Sequence, residues 1–374
     1  MSQTKQYRVV GLMSGSSLDG LDVAYCAFRV QKKTARELLV EDWQLLAAQT
    51  IPFSQKWRDR LLGLPAQSAR IYAQTDIYFG YYMGELIQPF LNKLPHRPHF
   101  IASHGHTVFH EPDRRFTAQI GHGGALAATT GIPVIHDFRI QDVALSGEGA
   151  PIAPVADWML YKGYDFYLNI GGIANISAIF DNGPVAFDVV GANQVLNALA
   201  QLRHMPFDEN GNLARQGVVN ENLLNRLSQK DFFSRPYPKS LSNDWVSREL
   251  TGPVLAFEDS IENRMRTVCE LIARQVQNAV GALIKKKESP GRRPYRILVT
   301  GGGALNGFLM ERIESCCADL GDLSWIVPEN EIVEYKEAVL MALMGVLRAE
   351  KVPNCFRAVT GARRDSTGGC ISYP

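Results

Sequence analysis

The sequence predicts an α/β domain that occurs twice. A hairpin interrupted by small residues appears at 7–30 and again at 166–188, and each is followed by a long helix. After each helix an apolar strand runs into glycine, at 100–105 and at 296–303. The 374 residues exceed what one hydrophobic core usually organises. We therefore expect two domains, 1–145 and 146–374, with a ligand cleft between the copies.

Taken in order, residues 7–12 read as a strand that breaks into a Gly/Ser loop and resumes as a strand at 21–30. Residues 34–50 complete a meander. Residues 67–94 carry the apolar spacing of a long helix. A strand at 100–103 leads into Gly105, a Gly-rich turn and short Ala-rich helix follow at 121–130, and 133–137 is another strand. In the second half, strands are expected at 166–170, 176–180 and 185–188, the last two joined by an Asp181-Asn182-Gly183 turn. A helix at 193–202, a long helix at 258–287 and a strand at 296–300 come next. A helix at 306–318, a strand at 324–327 and an apolar helix at 335–348 complete the chain.

Composition narrows the function classes. Hydrophobic residues make up 46% and charged residues 21%, with a net charge of +1. Such a chain offers no broad basic field for nucleic acid. No apolar run approaches a membrane span, and the N-terminus lacks the apolar core of a secretion signal. The six cysteines show no C-x-x-C spacing, so free thiols in a reducing cytoplasm are expected. The dipeptide Gly-Lys is absent, which excludes a P-loop kinase, and no dinucleotide-binding glycine pattern opens a helix after a strand.

Five motifs carry candidate chemistry. The loop Gly15, Ser16, Ser17, Leu18, Asp19, Gly20, Leu21 and Asp22 pairs backbone N–H groups and hydroxyls with two carboxylates. It fits either an ordinary turn or a phosphate cradle beside a hydrated Mg²⁺. Gly301-Gly302-Gly303 follows a strand, with Asn306 placed to cap a helix; a tight turn or a nucleotide contact both fit. Asp188 ends a strand, where it would cap a turn or act as a general base. Asp137, Arg139 and Asp142 place one guanidinium between two acids, as an ion pair or a sugar contact. His104, His106 and His110 have the alternation of metal ligands or of a polar sugar rim.

A duplicated α/β unit with two small-residue turns at strand ends is the architecture of the hexokinase–actin superfamily, whose halves are RNase H-like. The chain further resembles the anhydro-N-acetylmuramic acid kinase family at residues 11–22, 103–107, 117–124, 131–139, 149–151, 169–175, 207–211 and 300–303. The resemblance implies a cytoplasmic, homodimeric enzyme of cell-wall recycling. With ATP and Mg²⁺ it would phosphorylate the 6-oxygen of a 1,6-anhydrosugar while water opens the anhydro bridge. It assigns residues 15–22, Gly171, Gly172, Gly301, Gly302, Gly303 and Asn306 to ATP, and Asp19 and Glu337 to Mg²⁺, partly through water. Asp188 would activate the water; His104, Thr107, Asp137, Arg139, Asp142 and Asn193 would hold the sugar.

The chain departs from the family pattern at several points. Where relatives carry Phe-Asp-Thr-Gly-Pro-x-Asn, this chain has Val189 and Val190 after Asp188, and then Gly191 and Ala192 before Asn193. His106, His122 and Glu148 replace the usual Gln, Asp and Gln. Three rival expectations follow: a levoglucosan-type kinase, a metal-dependent hydrolase using the three histidines, and a non-catalytic sugar- or nucleotide-binding relative. Closure of the cleft on ligand binding is also expected.

Overall fold

The computed structural model describes residues 4–15, 18–180, 183–237, 239–287 and 294–374. Ser16, Ser17, Asp181 and Asn182 lie outside the described residues. The chain forms two units. One comprises the residues up to Lys162 together with Tyr335–Pro374; the other is Gly163–Glu334. The first unit thus extends past residue 145 and recovers the C-terminal segment that the sequence reading placed in the second half. The reason is a close approach within that unit. A Cβ on Gly11 would lie 1.8 Å from the carbonyl oxygen of Ala338, so the helix Asn330–Ala349 meets the first strand backbone to backbone there.

In the first unit, β1 (Thr4–Ser14), β2 (Gly20–Lys32) and β3 (Leu38–Pro52) form the expected meander. β1 also pairs in parallel with β4 (Phe100–Glu111), and β4 pairs in parallel with β6 (Val134–His136). The helix Ala69–Leu91 begins where Ser68 Oγ accepts from Ile71 N and buries Thr75, Phe79, Met83, Ile87 and Phe90 along one face. Two departures matter. β4 does not end at Ser103 but continues through Gly105 (φ +73°) and forms a hairpin with β5 (Phe116–Ile120). A short strand, Cys370–Ser372, adds antiparallel to β6.

The second unit repeats the scheme with β7 (Phe166–Ile170), β8 (Ile173–Phe180), β9 (Gly183–Gly191), β10 (Tyr295–Thr300) and β11 (Leu323–Ile326). Its order, β11-β10-β7-β8-β9, matches β6-β4-β1-β2-β3 strand for strand. Three antiparallel strands followed by two parallel ones occur in both. Each unit is therefore the RNase H-like α/β unit of the hexokinase–actin superfamily. The helix Ile261–Lys286 supplies the core face of the second unit through Met265, Ile272, Val276 and Leu283, with Lys285 and Lys286 complementing its C-terminal dipole.

Candidate active site

In the first unit the polar residues converge at the carboxyl ends of β1, β4 and β6. Leu18 adopts φ +58° with its side chain buried, turning the loop back so that Asp19 is exposed and Gly20 enters β2. Gly20 is required there, because a Cβ would lie 2.5 Å from the Ile51 carbonyl oxygen. Asp22 Oδ1 accepts from the Thr50 hydroxyl at 2.6 Å. The helix brought in at Gly11 presents Glu337. Its side chain keeps an accessible surface, yet the protein mass around it disfavours the charge and raises its pKa; Arg139 opposes that shift and Asp22 adds to it. Carboxylate oxygens of this kind suit a hydrated Mg²⁺.

Arg139 organises the neighbouring wall. Its Nε donates to His104 Nε2 at 2.8 Å and its Nη1 to the Gly149 carbonyl at 2.9 Å. His104 Nδ1 then donates to the Gly105 carbonyl at 3.0 Å, which sets the tautomer. Burial, reinforced by Arg139, pushes the His104 pKa down to about 3, so the ring is neutral. Asp137 sits just beyond β6 at φ +60°, a conformation that costs a non-glycine residue about 1–3 kcal/mol. Burial raises its pKa, opposed by His136 and the Ile140 N–H. Thr107 accepts from Gln119 Nε2 at 3.3 Å.

Asp142 has structural partners here, and the metal reading of the histidines is corrected. Asp142 is fully buried; Oδ2 accepts from Gly149 N and Oδ1 from the Thr360 hydroxyl. It braces the loop that Arg139 also holds. The three histidines do not form a metal site. His104 uses both nitrogens as above, His106 Nδ1 contacts Ser14 Oγ, and His110 Nδ1 contacts Thr117 Oγ1. Among the described residues no three His, Cys, Asp or Glu side chains are grouped to hold a metal ion. Two of the unusual residues also have structural places: His106 is buried against Ser14, and His122 Nδ1 caps the helix Gly123–Thr130 by accepting from Ala125 N.

In the second unit Asp188 is placed by a bulge. Ala174 pairs with Val190 but Asn175 pairs with Asp188, so Val189 is the extra residue. Val189 and Val190, the departures from the family pattern, are both absorbed into the hydrophobic core. Asp188 is tied to the segment that follows Tyr237: its N–H donates to the Lys239 carbonyl and its Oδ2 accepts from Leu241 N at 2.7 Å. Burial raises its pKa to about 6, with the Leu241 N–H opposing. A carboxylate titrating near neutrality suits a general base.

The glycine turns take different tasks. The carbonyls of Gly171 and Gly172 accept the first N–H groups of the helix Asn193–Gln201, from Ala192, Asn193 and Gln194. Asn193 Nδ2 donates to the Ile170 carbonyl at 3.1 Å. A Cβ at Gly301 or Gly303 would run into Asn169 and Ile170 at 2.7 and 2.3 Å, whereas one at Gly302 would meet nothing nearer than Asn193 Nδ2 at 3.6 Å. Gly302 lines a cavity of about 290 Å³ together with Asn193, Asn197, Phe207, Asn210 and Leu305. Phe207 and Leu305 expose 55% and 42% of their surface, and the remaining lining is largely amide. A flat, partly polar ring such as adenine fits that chemistry. Asn306 accepts from Leu309 N as the cap of the helix Gly307–Cys317.

Sequence reasoning assigned no role to Phe207, Asn210 or Leu305, nor to Leu241, which anchors Asp188. The shared stretch 207–211 was the available signal for the cavity; Leu241 had none.

Comparison with known proteins shows the family of the chain. The family model for anhydro-N-acetylmuramic acid kinase matches residues 7–374. The anhydro-N-acetylmuramic acid kinase of Vibrio cholerae serotype O1 is 33% identical over 387 residues, covering 98% of each chain. That of Haemophilus influenzae is 31% identical over 396 residues, covering 99% of each. That of Hydrogenovibrio crunogenus is 29% identical over the full length of both. The chain belongs to the anhydro-N-acetylmuramic acid kinase family and is a kinase of that family. Among the described residues no helix is long and apolar enough to cross a membrane.

Proposed function

We propose that this chain uses ATP and Mg²⁺ to convert 1,6-anhydro-N-acetylmuramic acid to N-acetylmuramic acid 6-phosphate in a bacterial cytoplasm, acting as a homodimer in cell-wall recycling. Water attacks C1, the C1–O6 bond breaks, and O6 takes the γ-phosphoryl group as ADP departs. Asp188 accepts the proton of the attacking water and returns it to solvent. The observation that carries this reading is the carboxylate of Asp188, aimed by a bulge, anchored through one oxygen and raised to a pKa of about 6.

The neutral His104 ring, Thr107, Asp137, Arg139 and Asn193 orient the sugar hydroxyls and the lactyl carboxylate, toward which Arg139 still offers Nη2. Residues 15–22 with Gly171, Gly172 and Gly301–Gly303 receive the phosphates, and the cavity beside Gly302 takes the base. Asp19 and Glu337 hold Mg²⁺, in part through water; the ion supplies charge neutralisation of the transferring phosphoryl group. A coupled ADP assay over a panel of anhydrosugars with and without the lactyl ether tests the reading. Turnover should require both ATP and sugar and should favour the lactyl-bearing compound. Preference for levoglucosan would assign the chain to the related anhydrosugar chemistry instead.

A further inference from the structure

A second cavity, of about 190 Å³, lies behind the strand that carries Asp188. Its walls are Phe187 and Val189 from β9, the helix Ile261–Lys286, and the segment that includes Phe233, Arg235, Tyr237 and Lys239. Phe187 and Val189 flank Asp188 and both line the cavity, whereas Asp188 does not. The Phe187 and Tyr237 rings stack on each other at 4.9 Å and 8°, and together they form the apolar side of the cavity.

The polar groups in this cavity are unbalanced. Lys239 Nζ donates to the carbonyls of Phe232 and Phe233, and Arg235 stands exposed at the rim. No carboxylate lines the cavity, and neither cation has an ion-pair partner among the described residues. Gln275 lines the cavity from the helix, and no hydrogen bond to its amide is found among the described residues, so the amide is open to a ligand.

We infer that this cavity binds a small organic anion: one compact apolar body packed against the Phe187–Tyr237 pair, with a carboxylate or phosphate facing Lys239 and Arg235 and accepting from Gln275. Its occupancy is transmitted to Asp188, because the segment forming the outer wall donates Leu241 N to Asp188 Oδ2 and accepts Asp188 N at the Lys239 carbonyl. The binding claim stands by itself; its effect on turnover rests on Asp188 being the base.

Ligand-observed NMR and calorimetry on the full-length protein, with benzoate, phenyl phosphate and inorganic phosphate as probes, test both parts. Saturable binding of benzoate or phenyl phosphate is expected at roughly millimolar concentration. Gln275→Met and Lys239→Met should each weaken it at least about 10-fold. Arg235→Ala, at an exposed position, serves as the second variant if Lys239→Met does not fold. Which aromatic anion binds better decides between carboxylate and phosphate. No saturable binding, binding unchanged in the variants, or equally tight binding of inorganic phosphate overturns the site. With saturating ATP and sugar, the bound probe should change kcat and leave KM in place, and Gln275→Met should remove that response while keeping basal kcat. Binding without any change in kcat overturns the coupling. Full activity in Asp188→Asn would mark a failure of the assigned base and leave the binding result standing.

Discussion

The strands β4 and β10 occupy equivalent positions in the two sheets, and both meet a glycine of positive φ, Gly105 at +73° and Gly301 at +82°. They then diverge. β4 continues past Gly105 into a hairpin and lines up imidazoles that Arg139, Ser14 and Thr117 hold in place. β10 stops, and Gly301–Gly303 fold tightly against Ile170 before a capped helix. The hairpin loops diverge in the same way: Asp19 and Asp22 flank the first, whereas the carbonyls of the second are used up capping a helix. One repeated frame thus carries ring nitrogens and a guanidinium in one copy, and a close-packed turn beside an amide-lined cavity in the other. Asp188 belongs to the second copy, on its third strand.

The largest effect should come from that third strand. Asp188→Asn keeps an acceptor for Leu241 N but removes the base, so kcat should fall about 10²–10⁴-fold. In the wild type the rate should rise with pH through about 6, because only the ionised carboxylate accepts a proton. The stability effect has the opposite sign. The folded-state pKa is raised from 3.8 to about 6, so ionisation penalises the fold progressively over that range and fully above it. The same variant should therefore be more stable than the wild type at pH 7, by about 1–2 kcal/mol, and indistinguishable near pH 3. Denaturant melts at the two pH values check this.

Arg139→Lys probes the first copy. A lysine ammonium cannot reach both His104 Nε2 and the Gly149 carbonyl with the planar fork, so KM for the sugar should rise about 10-fold with a smaller change in kcat. An unchanged KM would remove Arg139 from the sugar site.

The glycine turn of the second copy separates packing from binding. Gly303→Ala drives a methyl group to 2.3 Å from Ile170 and should cost about 1–3 kcal/mol of stability. Gly302→Ala has room and should leave the melting curve in place while raising KM for ATP several-fold. Equal destabilisation by both would show that the turn is packing alone. The smallest kinetic effect is expected for Asp142→Asn. It should lower stability by about 1–3 kcal/mol through the lost brace between Gly149 and Thr360, with KM for both substrates unchanged.

The repeat was legible because it is written in apolar periodicity and glycine positions, which depend on local chain geometry. All five strands of the second sheet fall where that pattern puts them. Three features were illegible because they depend on contacts between residues far apart in sequence. The capture of residues 335–374 by the first unit turns on Gly11 meeting Ala338. The structural role of Asp142 turns on Thr360. The anchoring of Asp188 turns on Leu241, 53 residues away with no motif around it. The alternating histidines looked like a ligand set because spacing is visible in a sequence, whereas the hydrogen bonds that occupy them are not. Val189 and Val190 appeared as a threat to the catalytic turn; the bulge buries both and leaves the carboxylate in place.

Sugar-dependent ADP release, followed across pH 4.5–8 for the wild type and Asp188→Asn, tests the central claim most directly. The account predicts release that requires the anhydrosugar, declines below about pH 6 and is lost in the variant. Undiminished turnover by Asp188→Asn would contradict it.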